Sequence, residues 1–152
     1  MKVVIGSDHA GYDLKEELKD VLKEEGVEFL DVGTINGDDS VDYPDFAEMV
    51  ALKVVGGEYD RGVIVCGTGV GVAIAANKVK GVRAANCNET VSARFSREHN
   101  DANILTLGSR IIGGAVAIEI LKVWLAAGFE GGRHARRVEK ISMIEERAGV
   151  SE

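Results

Sequence analysis

Five short aliphatic runs, each followed by a stretch with helical periodicity, constrain this chain more than any other feature. The runs are Lys2–Gly6 (KVVIG), Val27–Val32 (VEFLDV), Gly62–Cys66 (GVIVC), Val82–Asn86 and Ile104–Leu107. Strands that alternate with helices in this way form βαβ units, and hence a parallel sheet covered by helices on both faces. GVIVC is uncharged on both faces, as a central parallel strand should be. Between Tyr12 and Glu25, Leu14, Leu18, Val21 and Leu22 share one helical face, and Lys15, Glu16, Lys19, Lys23 and Glu24 cover the other. Gly26 suits that helix's C-cap, and Pro44 the first position of a second helix carrying Ala47, Val50, Ala51 and Val54. Further helices are expected over Val70–Asn77, Glu89–Arg97 and the almost wholly apolar Ala115–Ala127. A last helix follows Gly131-Gly132. The expected fold is α/β, with three αβα layers around a five-stranded parallel sheet. It forms one domain over residues 1–152, with a C-terminal helical extension from about residue 130.

Composition narrows the function classes. With 45% hydrophobic and 28% charged residues the chain is globular, and at 5% aromatics its core must be Val, Ile, Leu and Ala. No apolar run reaches the ~20 residues that cross a bilayer, so a soluble cytoplasmic protein with no membrane partner is expected. Lys and Arg number 18 against 25 Asp and Glu, a net charge of −7, which opposes binding to a nucleic-acid backbone. An anionic ligand must then be held by a local cationic cluster. Cys66 and Cys87 are too few for a disulfide framework and read as reduced thiols.

In a Rossmann-like sheet, ligands bind outside the C-terminal ends of the strands. The residues there are Ser7-Asp8-His9, Gly33-Thr34, Cys66 to Gly71, Asn86 to Asn88 and Gly108 to Arg110. In Cys66-Gly67-Thr68-Gly69-Val70-Gly71, three glycines allow a sharp turn that aims backbone N–H groups at one point. Such a turn binds a phosphate or a developing oxyanion, and the same field favours the thiolate of Cys66. The plainer reading is a buried cysteine beside a packing turn. A dinucleotide fingerprint fails at Val72, and no Gly-Lys-Ser/Thr phosphate loop exists. Asp8 suits a helix cap as well as a ligand. His99-Asn100 lies in a polar loop before the fifth strand. Arg133, Arg136 and Arg137 open a helix, where they oppose its dipole unless an anion is present. Cys87 has no activating neighbour. No metal-ligand spacing is evident, and no cofactor is expected. A thiolate base, an N–H nest, arginines and a histidine together suit cofactor-free aldose–ketose isomerisation of a phosphosugar.

The chain resembles the type-B ribose-5-phosphate isomerases, a family that also holds galactose-6-phosphate and allose-6-phosphate isomerases. The matching segments are GSDHAG (Gly6–Gly11), DYP (Asp42–Pro44), CGTGVG (Cys66–Gly71), AANK (Ala75–Lys78), SREHNDANIL (Ser96–Leu105), GSR (Gly108–Arg110) and EGGRH (Glu130–His134). The resemblance implies that Cys66 moves a proton between C1 and C2 while Gly67, Thr68, Gly69, Val70 and Gly71 hold the enediolate oxygens. It implies that His99 opens the furanose ring, that Asp8 and Tyr43 line the sugar site, and that Asn100 contacts a sugar oxygen. His9, Arg110, Arg133 and Arg137 would bind phosphate. One branch of the family uses a glutamate at the position of Val72; valine cannot take a proton, so here the thiol must act. The resemblance further implies a homodimer or dimer of dimers, with the C-terminal helix extending to the partner subunit and arginines reaching its site. A six-carbon phosphosugar isomerase and a non-catalytic phosphosugar- or nucleotide-binding module are the rival readings.

Overall fold

A computed structural model describes residues 1–149. In chain order the elements are β1 (Lys2–Ser7), α1 (Tyr12–Glu24), β2 (Glu28–Asp31), α2 (Tyr43–Val55), β3 (Arg61–Cys66), α3 (Val70–Ala76), β4 (Ala84–Asn86), α4 (Thr90–Glu98), β5 (Ile104–Gly108), α5 (Gly114–Ala126) and α6 (Arg133–Gly149). The strands form one sheet in the order β2-β1-β3-β5-β4, all parallel, with the GVIVC strand at its centre. One face is sealed by Leu18, Leu22, Ile120, Leu121 and Trp124 from α1 and α5, with Ala93 from α4. The other is sealed by Ala47, Val50 and Ala51 from α2 with Val72 and Ala76 from α3. This is the three-layer αβα arrangement the periodicity predicts. Among the described residues, no helix is long and apolar enough to cross a membrane.

Local differences have local causes. Helix α1 ends in a Schellman motif: Gly26, at φ 67°, donates to Lys23 O, and Val27 to Leu22 O. Pro44 takes the second helical position of α2 rather than the first, behind the N-cap Asp42. Strand β4 is shorter than Val82–Asn86 because Val82 still donates to Val79 O in the turn after α3. Helix α5 buries Ala117, Ile120, Leu121, Trp124 and Leu125 but leaves Val116 exposed, so its apolar girth is only partly covered within one chain. In α6 only His134 is buried, while Ile141, Met143 and Ile144 face outward.

Lys15 departs most from expectation. It sits on the polar side of α1, yet only 1% of its side chain is exposed. Its ammonium is enclosed by Asp31 and Glu16, and Lys19 Nζ reaches Asp31 at 2.9 Å. Burial pushes the Asp31 carboxyl up, but hydrogen bonds from Lys15, Lys19 and the Gly33 N–H outweigh it and hold the group below its usual 3.8. A carboxylate depressed in the folded state stabilises the fold fully above its ordinary value and loses that contribution as pH falls from there through the lowered folded-state value. Asp31→Asn should therefore cost about 2 kcal/mol at neutral pH, because it strips a charged hydrogen bond from a buried ammonium. The cost should shrink as pH falls below the usual carboxylate range and the wild-type carboxyl itself becomes protonated. Urea unfolding of both proteins across that range is the check; a pH-independent difference contradicts it.

Candidate active site

The strand order reverses between β1 and β3, and a crevice opens at that point beyond the C-terminal strand ends. Ser7 pairs with Val65 and Cys66 with Gly108, so Asp8, the Cys66 loop and Ser109-Arg110 emerge side by side. Asp8, His9, Tyr43, Cys66, Gly67, Thr68, Val70, Gly71 and Arg110 line a cavity of about 360 Å³ there. Strand-end candidates from β1, β3 and β5 are thus brought together, whereas Gly33-Thr34 and Asn86 to Asn88 do not line this cavity.

Hydrogen bonds fix the loop's shape. Gly69 lies at φ 76°, a conformation costly for any other residue. It turns its N–H onto Cys66 Sγ at 3.1 Å, a bond that a thiolate accepts more strongly than a thiol. Val70 donates to Thr68 Oγ1 at 3.2 Å, tying the threonine side chain to the same turn. From beneath, the buried Thr106 hydroxyl donates to Gly69 O at 2.8 Å. Arg110 N–H donates to Gly67 O, and Ser109 Oγ donates to Ala10 O at 2.7 Å, clamping the loop after β5 to its two neighbours. Gly71 gives Tyr43 its place, since a Cβ there would stand 2.7 Å from the tyrosine ring.

The other pocket residues have defined roles in this frame. Asp8 is buried and accepts the Gly11 N–H at 3.0 Å; Gly11 is itself the N-cap, so Asp8 orders the approach to α1 rather than capping it. His9 Nδ1 accepts the Val41 N–H at 3.2 Å, which makes the other nitrogen the protonated one, free to donate to an anion. Arg110 is exposed at the rim.

The remaining candidates lie elsewhere. His99 is the C-cap of α4 and precedes β5, whereas Cys66 closes β3. Gly62 pairs with Ile104 and Cys66 with Gly108, so at least four residue steps of strand, about 13 Å, separate the two ends. Asn100 lies beside His99 in the same loop, and the chain leading to Arg133 and Arg137 is tied to that end by the Glu130 N–H on Glu98 O. One chain therefore carries two constellations at opposite ends of its sheet. A concavity of about 700 Å³ borders the second of them, between α6 and the segment after α3, and includes Asn100.

That second group contains a potential ligand set, His99, Glu130 and His134, with donor atoms within 4.8 Å of one another. The two imidazoles lie face to face, 4.3 Å apart and 9° from parallel, so their in-plane lone pairs do not converge on one ion. Arg133 and Arg137 flank His134 and disfavour a cation further. The geometry fits an anion better than a metal. Sequence reasoning also missed Thr106 and Ser109 as supports of the loop; both are small hydroxyls in or after a buried strand, where only the fold reveals their reach.

The fold and the crevice define an open parallel α/β protein with a small-molecule site at its switch point. A family model described as Ribose/Galactose Isomerase matches residues 3–141, and the chain belongs to that family of sugar-phosphate isomerases. It is 51% identical to ribose-5-phosphate isomerase B of Escherichia coli, over 96% of this chain and 97% of that one. It is 42% identical to a D-erythrulose-4-phosphate isomerase of Pectobacterium atrosepticum, over 95% of each. A solved ribose-5-phosphate isomerase B of Clostridium thermocellum superposes with a TM-score of 0.95 at 57% identity, covering 97% of this chain and 99% of that one.

Thr106→Val, which keeps the shape but removes the hydroxyl from Gly69 O, should lower kcat/KM about tenfold with little loss of fold, as the loop relaxes. Steady-state kinetics beside a thermal melt checks this; unchanged kinetics means that the loop holds its shape without the threonine.

Proposed function

We propose that the chain interconverts ribose 5-phosphate and ribulose 5-phosphate through an enediolate, using no cofactor. The observation that carries this reading is the Gly69 N–H on Cys66 Sγ inside a crevice that also holds His9 and Arg110. The thiolate removes the proton from C2 of the open-chain aldose. The C–H electron pair forms the C1=C2 bond, and the carbonyl pair moves onto O1. Returning the proton to C1, as the O2 hydroxyl proton passes to O1, gives the ketose with its carbonyl at C2. The N–H groups of Gly67 to Gly71 and the Thr68 hydroxyl hold the oxygens as charge develops. Asp8 and Tyr43 flank the sugar, and His9 and Arg110 bind its phosphate. Val72 is fully buried and offers no carboxylate in place of the thiol. The reading places the protein in the cytoplasm, where Cys66 stays reduced.

The second constellation enters the crevice of another copy. His99 supplies the proton relay that opens the furanose ring, Asn100 contacts a sugar oxygen, and Arg133 and Arg137 complete the phosphate site. Two apolar surfaces support an assembly of at least a homodimer, with a dimer of dimers as its larger form. Val70 and Ile74 are 50% and 58% exposed on α3, the helix that leads out of the crevice loop. On α6, Ile141 and Ile144 are 46% and 58% exposed on a helix that one chain barely covers.

Cys66→Ala should lower turnover about 10²- to 10⁴-fold while leaving phosphate binding intact. Near-normal activity in that variant would remove the thiol from the mechanism. Refolding Cys66→Ala together with Arg137→Ala tests the shared site. Random pairing makes about half the dimers mixed, each with one intact site of two, so roughly a quarter of wild-type activity should return. Mixed dimers without recovery would place the arginine in its own chain's site. Comparing kcat/KM across four-, five- and six-carbon phosphosugars tests the substrate, with ribose 5-phosphate expected to lead.

A further inference from the structure

Phe95, His99 and His134 form a single column of rings. Phe95 and His99 stack with centroids 4.5 Å apart and planes 11° from parallel. His99 and His134 stack at 4.3 Å and 9°. The Arg94 guanidinium covers the outer side of Phe95 at 5.0 Å. His99 is thus enclosed on both faces and presents only its edge, where both nitrogens lie. Any rotation that tilts the plane of its ring breaks two stacks at once.

The two covering rings come from different elements. Phe95 lies one turn back on α4 and receives the His99 N–H on its carbonyl at 2.9 Å. His134 belongs to the first turn of α6 and is only 6% exposed. Glu130 ties the elements together: its N–H donates to Glu98 O at 3.0 Å, and its carboxylate lies 3.4 Å from His134 Nε2. Burial, then the nearby charges of His99 and Arg133, push the His134 ring below its ordinary pKa. It is therefore a neutral face, which does not repel a proton carried by His99.

We propose that His134, together with Phe95, is a positioning residue that fixes the plane of His99 and aims its nitrogen edge at the ring oxygen of the cyclic substrate. The proposal rests on the reading of His99 as the ring-opening residue. His134 lies between Arg133 and Arg137, so the helical turn that holds the phosphate also sets the angle of the imidazole. Substrate anchoring and ring opening are then mechanically coupled.

The test compares His134→Ala, His134→Phe, Phe95→Ala and His99→Asn in three measurements. These are kcat and KM for cyclic ribose 5-phosphate, solvent deuterium uptake by open-chain ribulose 5-phosphate, and the NMR resonance of the His99 ring proton. Deuterium uptake needs a folded, assembled site but no ring opening, so it controls for structural damage. His134→Ala should lower kcat on the aldose roughly 10- to 100-fold with KM and deuterium uptake within about twofold of wild type. Phe95→Ala should act in the same direction. His134→Phe restores the stacked face without a titratable nitrogen and should recover kcat to within about threefold. The His99 resonance, shielded by two ring currents, should move downfield in His134→Ala and return in His134→Phe. A raised KM at unchanged kcat would make His134 a phosphate contact and overturn the proposal. Failure of His134→Phe to recover, with the resonance restored, would do so by assigning chemistry to the imidazole itself. If His99→Asn is crippled on the aldose while His134→Ala is not, positioning fails and ring opening by His99 stands. If His99→Asn opens the aldose normally, the underlying reading fails first.

Discussion

A parallel sheet has polarity, and the rest of this molecule follows from it. Every strand delivers its C-terminal residues to one edge and receives its chain from the other. Asp8, Cys66 and Ser109 meet because they lie at or just after the ends of β1, β3 and β5, which lie side by side in register. His99 and Asn100 precede β5, so the same register that assembles the thiol site excludes them from it. No adjustment of side chains bridges a full strand length. On the proposed function, an enzyme that uses both groups has to bring two sheets together, and the exposed apolar faces of α3 and α6 would supply surface for that contact.

Within the thiol site the decisive feature is a set of backbone groups rather than a side chain. The loop 67–71 is shaped by one left-handed glycine, a hydroxyl from beneath and two clamps from the strand beside it. Under the proposed mechanism, a loop held by these bonds would need little reorganisation as charge develops on the substrate oxygens. The second constellation follows the same logic with rings: Phe95 and His134 hold His99 in one plane. Rigid groups on two rigid surfaces can then be mated by one interface.

Much of this was legible in the sequence. The βαβ alternation sets the layers, the uncharged GVIVC run identifies the central strand, and the glycines after it mark the loop. The position of His99 before a strand, against Cys66 after one, already implies opposite ends of a parallel sheet; the sequence motifs, taken as a set, obscure that difference. Other features depend on distance alone. Lys15 falls on a polar helical face, and only the approach of Asp31 from β2 makes its burial possible. Thr106 looks like a strand residue until its hydroxyl is found under Gly69. His134 lies 35 positions from His99, and no periodicity links a helix C-cap to the first turn of another helix.

The most direct measurement is covalent. In a Cys87→Ser background, His99→Cys leaves thiols only at positions 66 and 99, and a short bifunctional thiol reagent reports which pairs lie close. A covalent dimer linked between position 66 of one chain and position 99 of another, mapped by peptide mass, is the expected product. Cross-links confined to single chains, or chains that are only singly capped at each thiol, would contradict a site built from the two ends of two sheets.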